Sequence, residues 1–249
     1  MSFAILIIAY TNGNNLLQQC IESIRKHNPD TQICIVDAHP GTYIPTDQKI
    51  RYHCSGFNGY ELGSLASGVK FYQDVQRFLV IHDSCLIHDV ISVPEKNQIL
   101  FTAPKFDIAP ALGIVRNWLR DIRVDSGKFS EDWHICQGLM GFFSRDVLEN
   151  IFSTGLEQVR VSSKIEAVAS EGIFGFLLYC LYPEITSEHS RIYDYISSCK
   201  AWKWISKIAV GRGHTPLENR VLSLAEMYGG VFLITCQIFA YFTKKYRNI

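Results

Sequence analysis

Short apolar runs alternate with segments of helical period along the first half of the chain. Phe3–Ala9 is continuously apolar, which is typical of a strand buried on both faces of a parallel sheet. Apolar positions from Leu16 onward recur at helical spacing until Asn28 and Pro29. The same patterns predict strands at 32–36, 50–54, 77–81 and 99–103 and a second helix at 61–74. Strands that alternate with helices predict an α/β fold with a mostly parallel sheet flanked by helices.

The second half of the chain is predicted to be more helical. The pattern indicates a helix at 111–120, a short strand at 138–143, a short helix at 145–151 and a mostly helical stretch at 159–181. The C-terminal third is rich in aromatic residues and has helical period, interrupted by glycine and proline at 211–216. We therefore expect one domain over residues 1–182 and a helical extension over 183–249 that packs on it.

Charge and cysteine content narrow the classes of partner and compartment. Lys and Arg number 24, as do Asp and Glu, and this balance argues against nucleic-acid binding. The eight cysteines are scattered without a C-x-x-C pair, so the spacing of a zinc site or of a disulfide scaffold is absent. Thiols inside apolar runs suit a reducing compartment, and we expect a cytoplasmic protein.

Two apolar segments raise the question of membrane insertion. The start of the chain lacks a basic region and a small-residue cleavage site, so we expect a first strand there and not a signal peptide. Residues 224–242 are apolar but include Glu226, two glycines and Gln237, which favours a buried helix over a spanning one. The alternative is peripheral contact with the inner membrane face through this helix and the basic tail that follows it.

Polar or aromatic residues follow three of the predicted strands: Tyr10 and Thr11, Asp37, and Asp83. Parallel sheets bind ligands outside the carboxyl ends of their strands, so these residues predict one site. The sequence has no G-x-G-x-x-G after the first strand, no phosphate-binding P-loop and no G-x-S-x-G elbow. These absences exclude the commonest enzymes built on parallel sheets.

Several segments, taken in order, resemble those of GT-A glycosyltransferases, especially the inverting family 2 nucleotide-diphospho-sugar transferases. They are AILIIAYTN (4–12) with its helix and IVD (35–37), NG (58–59) with the helix after it, FLVIHDSC (78–85), GLMGFFSRDVL (138–148) and ASEGIF (169–174). Residues 78–85 resemble the strand that carries the D-x-D motif. Residues 138–148 resemble the acceptor-side stretch, and residues 169–174 resemble the segment that supplies the base. The resemblance covers roughly residues 3–182. It implies a GT-A, Rossmann-like fold and transfer of a sugar from a nucleotide diphosphate to a glycan or another hydroxyl acceptor, in glycan biosynthesis.

This resemblance suggests which residues bind donor and acceptor. The expected nucleotide-sugar site contains Ala9, Tyr10, Thr11, Asp37, Asn58, Asp83 and Ser84. Arg212 and His214, flanked by glycines in a C-terminal loop, are expected to fold over the donor and contact its diphosphate. On the acceptor side we expect Gly138, and Trp133 as a ring on which a sugar stacks.

Glu171 is the expected general base. In an inverting reaction it would take the proton of the acceptor hydroxyl as that oxygen attacks the anomeric carbon, through an oxocarbenium-like transition state. Glu166 and Asp132 are the alternative bases. Where the resembled family usually has Glu-Asp, this chain has Glu171 followed by Gly172.

The resemblance also implies a divalent cation, Mn²⁺ or Mg²⁺, held by Asp83 against the leaving diphosphate. Cys85 occupies the second acidic position of the D-x-D, and a soft thiol is a poor ligand for either ion. This departure keeps open a non-catalytic nucleotide-sugar-binding or interaction protein of the same fold. A nucleotidyltransferase is less favoured, because residues 12–15 lack the Lys or Arg that its first loop requires.

Overall fold

The structure is a computed structural model that describes residues 2–10, 15–39, 43–55, 60–187 and 205–207. All of these residues belong to one compact unit. Four predicted donor-site residues, Thr11, Asn58, Arg212 and His214, lie outside the described residues, as does the helix predicted at 224–242.

Five helices and eleven strands are described. The helices are α1 (Leu16–His27), α2 (Tyr60–Phe71), α3 (Leu112–Trp118), α4 (Arg145–Ser153) and α5 (Lys164–Leu181). The strands are β1 (Phe3–Ala9), β2 (Gln32–Asp37), β3 (Ile50–Cys54), β4 (Arg77–His82), β5 (Cys85–Ile87), β6 (Gln98–Ile99), β7 (Thr102–Pro104), β8 (His134–Cys136), β9 (Gly141–Ser144), β10 (Thr186–Ser187) and β11 (Ile205–Lys207).

Seven of these strands form the main sheet, in the order β10-β6-β9-β4-β1-β2-β3. Strands β3, β2, β1 and β4 are parallel, and β9 runs antiparallel to both of its neighbours. Short two-stranded pairs, β11 with β5 and β7 with β8, complete the described strands. The predicted α/β fold with a mostly parallel sheet is therefore confirmed.

The continuous apolar run of β1 is explained by two hydrophobic cores, one on each face of the sheet. Ile5 and Ile7 pack in the core that contains the buried face of α1, whereas Ala4 and Leu6 pack in the core that contains α2 and α5. Side chains alternate between the faces of a strand, so a strand covered on both sides needs an apolar residue at every position. Its bounds, Phe3–Ala9, are those predicted.

Helices α1 and α5 show how the sequence specifies the layers around the sheet. In α1 the buried residues follow helical spacing, from Leu17 through Cys20 and Ile21 to Ile24. Helix α5 begins at a capping box, in which the Ser163 hydroxyl accepts a hydrogen bond from the backbone N–H of Glu166. Most of its second half is buried, so α5 is an internal helix and not an amphipathic surface helix.

Two predicted strands differ from those observed. The run at 99–103 is split, because β6 pairs with β9 and β7 pairs with β8. The strand predicted from residue 138 begins at Gly141, because Gly138 and Leu139 have left-handed backbone angles, with φ of 63° and 54°. Left-handed residues cannot continue a strand. A turn therefore occupies the beginning of the predicted strand.

None of the helices in the described part of the chain combines the length and the apolar character that crossing a bilayer requires.

Candidate functional site

The carboxyl ends of β1 and β4 meet where the chain order of the sheet reverses. In an open α/β sheet, such a reversal opens a crevice in which ligands bind. Asp83 lies at this point, directly after β4. Its backbone N–H donates to the carbonyl of Ile8, at 3.1 Å, and its Oδ2 accepts from the backbone N–H of Tyr10, at 2.9 Å. The Asp83 side chain therefore joins the two strand ends.

Asp37, at the end of β2, is fully buried in this structure. Its Oδ1 accepts from the backbone N–H of His39, at 2.9 Å, and its Oδ2 accepts from the hydroxyl of Tyr52, at 3.0 Å. Both carboxylate oxygens of Asp37 therefore support the segment after β2 in this structure. Direct binding of the nucleotide by Asp37 stays a prediction.

An aromatic pair lies beside this segment. The half-exposed ring of Tyr10 meets the ring of His39 edge-on, with centroids 4.2 Å apart. The Nε2 atom of His39 is buried and makes no hydrogen bond to any residue in the described part of the chain. A buried unpaired nitrogen costs free energy unless a ligand or water satisfies it. Sequence reasoning missed His39, although its position two residues beyond a strand-end acid was a usable signal.

Glu171 comes from a distant part of the chain and reaches the same edge of the sheet. Its Oε1 accepts from the backbone N–H of Gly138, at 3.0 Å. The carbonyl of the same glycine lies 2.7 Å from Nε2 of His82, the residue before Asp83. The expected donor-site acid and the expected base are therefore connected through one histidine and one glycine.

The two alternative bases have other roles. Oε2 of Glu166 accepts from both the backbone N–H and the hydroxyl of Ser162 at the start of α5. These hydrogen bonds lower the pKa of Glu166, as expected for a carboxylate that accepts several donors. Asp132 has a side chain that is 94% exposed and lies 4.0 Å from Nζ of Lys105. Of the three acids, Glu171 is the one for which a hydrogen bond with Gly138 is described.

Two further residues of the expected site are buried. Trp133, expected to stack on a sugar, is 1% exposed, packs against Phe129 and Phe176, and donates its indole N–H to the carbonyl of Phe129. Stacking of an acceptor sugar on this ring stays a prediction. Ala9 was expected to line the donor pocket, but it is 2% exposed, and its carbonyl accepts from the N–H of Ala38.

The remaining predictions concern Ser84 and Gly138. Ser84 is part of the turn between β4 and β5 and is partly exposed. Gly138 is buried, and both its N–H and its carbonyl are used, by Glu171 and His82 respectively. Contact with the donor for Ser84, and with the acceptor for Gly138, stays a prediction.

The described residues do not fit a D-x-D metal site. Cys85 is fully buried in β5, and its thiol faces the sulfur of Met140 at 3.8 Å, inside the core. Asp83 is thus the one acid at this strand end, and it already accepts the N–H of Tyr10. A hard divalent ion requires several oxygen ligands, and no group of three or more candidate metal-binding side chains occurs among the described residues. We assign no chemical step to a metal.

Gly172, which follows the expected base, packs closely on neighbouring side chains. A Cβ atom there would lie 2.4 Å from Cδ1 of Ile108 and 3.2 Å from Cγ2 of Val115. Both distances are shorter than ordinary van der Waals contact. An aspartate at position 172 would therefore require the Ile108 side chain to move.

A cavity of about 400 Å³ lies elsewhere on the described chain, lined in part by Lys105, Phe106, Arg116 and Phe129. The ammonium group of Lys105 is bound there by the backbone carbonyls of residues 129–131. This buried lysine therefore stabilises the loop that precedes Trp133. Neither Asp83 nor Glu171 lines this cavity or a smaller one of about 200 Å³ beside α2.

Comparison with known proteins adds no family. No protein-family model matches the chain, and no curated protein matches it either.

Proposed function

We propose that this chain is a glycosyltransferase that moves a sugar from a nucleotide-diphosphate donor to a glycan or another hydroxyl acceptor, with inversion at the anomeric carbon. One observation carries the proposal. Two carboxylates far apart in sequence, Asp83 and Glu171, are connected through His82 and Gly138 at the carboxyl edge of a parallel sheet. A fold of this kind supports many activities, so the proposal depends on this pair and not on the sheet.

The roles follow from the chemistry of the two acids. Glu171 is held by a backbone N–H, and a positioned carboxylate is the group that general-base catalysis needs. It removes the proton of the acceptor hydroxyl as the hydroxyl oxygen bonds to the anomeric carbon. The bond from that carbon to the donor phosphate breaks, and the nucleotide diphosphate leaves with both bonding electrons. Asp83, at the reversal of strand order, contacts the donor.

The nucleotide would lie over the ends of β1 and β2. Tyr10 is half exposed there, and its ring is held edge-on against that of His39. A planar base would stack on the exposed part of the Tyr10 ring. Asp37 supports this surface by holding the backbone of His39.

The test measures nucleotide release from UDP-, GDP- and other nucleotide-sugars, in the presence of hydroxyl acceptors. Glu171→Gln should lower kcat about 10²- to 10⁴-fold, the usual contribution of a general base, while donor binding by calorimetry is retained. Glu166→Gln is the matched control on the same helix and should retain turnover. The assignment of the base is wrong if the control loses turnover and Glu171→Gln does not.

A non-catalytic nucleotide-sugar-binding protein is the second candidate. The buried thiol of Cys85 and the absence of a side chain at Gly172 favour it, because both acids that usually accompany these positions are missing. The calorimetric arm distinguishes the two candidates. Donor binding that is weakened by Asp83→Ala, with no turnover of any nucleotide-sugar, would support this second function.

A further inference from the structure

Between the two acids lies a turn with an unusual backbone, at Gly138 and Leu139. We propose that His82 is a positioning residue, which holds this turn and thereby sets the carboxylate of Glu171 relative to Asp83. The catalytic consequence rests on the proposed glycosyl transfer. The positional claim is independent of which reaction the site performs.

The hydrogen bond between His82 and Gly138 defines the state of the imidazole. A carbonyl oxygen only accepts hydrogen bonds, so the Nε2 atom that lies 2.7 Å from the Gly138 carbonyl must carry a proton. The backbone N–H of Gly138 in turn donates to Oε1 of Glu171. One residue thus receives a hydrogen bond from His82 and donates one to Glu171.

The turn does not keep its shape through local preference. Gly138 and Leu139 both have positive φ, and for a residue with a side chain this conformation costs about 1–2 kcal/mol. Leu139 is fully buried, which anchors one side of the turn in the core. His82 and Glu171 hold the other side. Without the His82 donor, the Gly138 carbonyl loses its side-chain partner and the turn can relax toward extended backbone.

His82 is itself rigidly placed. It is the last residue of β4, where it lies in register with Ile8 of β1, and the N–H of Asp83 donates to the Ile8 carbonyl. Its ring fits closely against Gly138, because a Cβ atom there would lie 2.9 Å from Cε1 and 3.1 Å from Nε2 of the imidazole. Strand β4, which precedes Asp83, therefore fixes the position of the turn through His82. The position of the Glu171 carboxylate is fixed with it.

Two variants of His82 test the inference by kinetics. His82→Gln keeps an amide N–H near the position of Nε2, and we expect its kcat to stay within about threefold of the wild type. His82→Leu keeps apolar volume but has no donor. Its kcat should fall at least about tenfold, with the KM for the donor unchanged, because displacement of a catalytic group by about 1 Å costs up to about 100-fold in rate. Equal kcat values for wild type and His82→Leu would overturn the proposal, as would a Gln variant as impaired as the Leu variant.

A spectroscopic arm needs no activity. In ¹⁵N NMR spectra of the wild type, we expect His82 to carry its proton on Nε2. We expect the Gly138 amide resonance to shift in Glu171→Gln and in His82→Leu. A proton on Nδ1 alone, or a Gly138 resonance that ignores His82→Leu, overturns the inference, and the first of these is measurable even if the Leu variant does not fold. If no nucleotide-sugar turns over, the proposed function fails, and the NMR result still decides the role of His82.

Discussion

Replacing Gly138 with alanine tests whether the turn between β8 and β9 is as constrained as its geometry indicates. An alanine there must adopt a φ near 63°, and its Cβ would meet the His82 ring at 2.9 Å and the Met140 methyl at 3.1 Å. The left-handed backbone costs about 1–2 kcal/mol, and overpacking of a filled site costs about 1–3 kcal/mol. We therefore expect the free energy of unfolding to fall by about 2–5 kcal/mol.

The measurement is urea denaturation followed by circular dichroism, and the matched control is Gly113→Ala. Gly113 lies in α3, where a Cβ atom would have no neighbour within 4 Å. Alanine in a helix is favoured over glycine by about 0.5–1 kcal/mol, so the control should be slightly stabilised. If Gly138→Ala lowers the free energy of unfolding by less than about 0.5 kcal/mol, the turn is not constrained as described, and the reasoning about His82 loses its basis.

Three other predictions concern the pH dependence of stability, thiol reactivity and metal dependence. Hydrogen bonds from Ser162 lower the pKa of Glu166, so the stability that Glu166 adds is complete above its unfolded pKa and is lost as pH falls through its folded pKa. The difference in unfolding free energy between wild type and Glu166→Gln should therefore shrink between about pH 6 and pH 3, and a constant difference would contradict this. Burial raises the pKa of the Cys34 thiol to about 12, so iodoacetamide at about pH 8 should leave it unmodified in the native protein while the partly exposed Cys54 reacts. Mass spectrometry measures the labelling, and equal labelling of the two thiols would contradict the protection of Cys34 by burial. Because Cys85 is buried where a D-x-D has its second acid, any nucleotide-sugar turnover should survive chelation by EDTA with less than about a twofold change. Loss of turnover that Mn²⁺ restores would contradict this expectation.

The extent to which the fold was predictable varies along the chain for physical reasons. Strand β1 and helix α1 were predicted closely, because a strand covered on both faces and a helix with one buried face leave unambiguous periodicities. The strand predicted at 99–103 failed because its two halves pair with different partners, β9 and β8. No pattern within five residues reports a change of partner, since the partners lie some forty residues further along.

The candidate site shows the same division between local and tertiary information. The sequence alone was enough to place Asp83 at a strand end, because strand ends can be recognised locally. Glu171 was expected from the family resemblance, with Glu166 and Asp132 as alternatives. Burial of Trp133 and Asp37 was decided only by packing, since an aromatic or acidic residue near a loop has the same local pattern whether its side chain faces a ligand or the core.

The sequence by itself determined the α/β class, the main parallel strands and an acid at the carboxyl end of one of them. The tertiary structure decided what that acid is connected to. His82, Gly138 and Glu171 are separated by 56 and 33 positions, and the contacts among them depend on how α5 and the turn before β9 pack on the sheet. Hydrogen bonds over such separations follow from the packing of whole elements, and no periodicity in the chain encodes them.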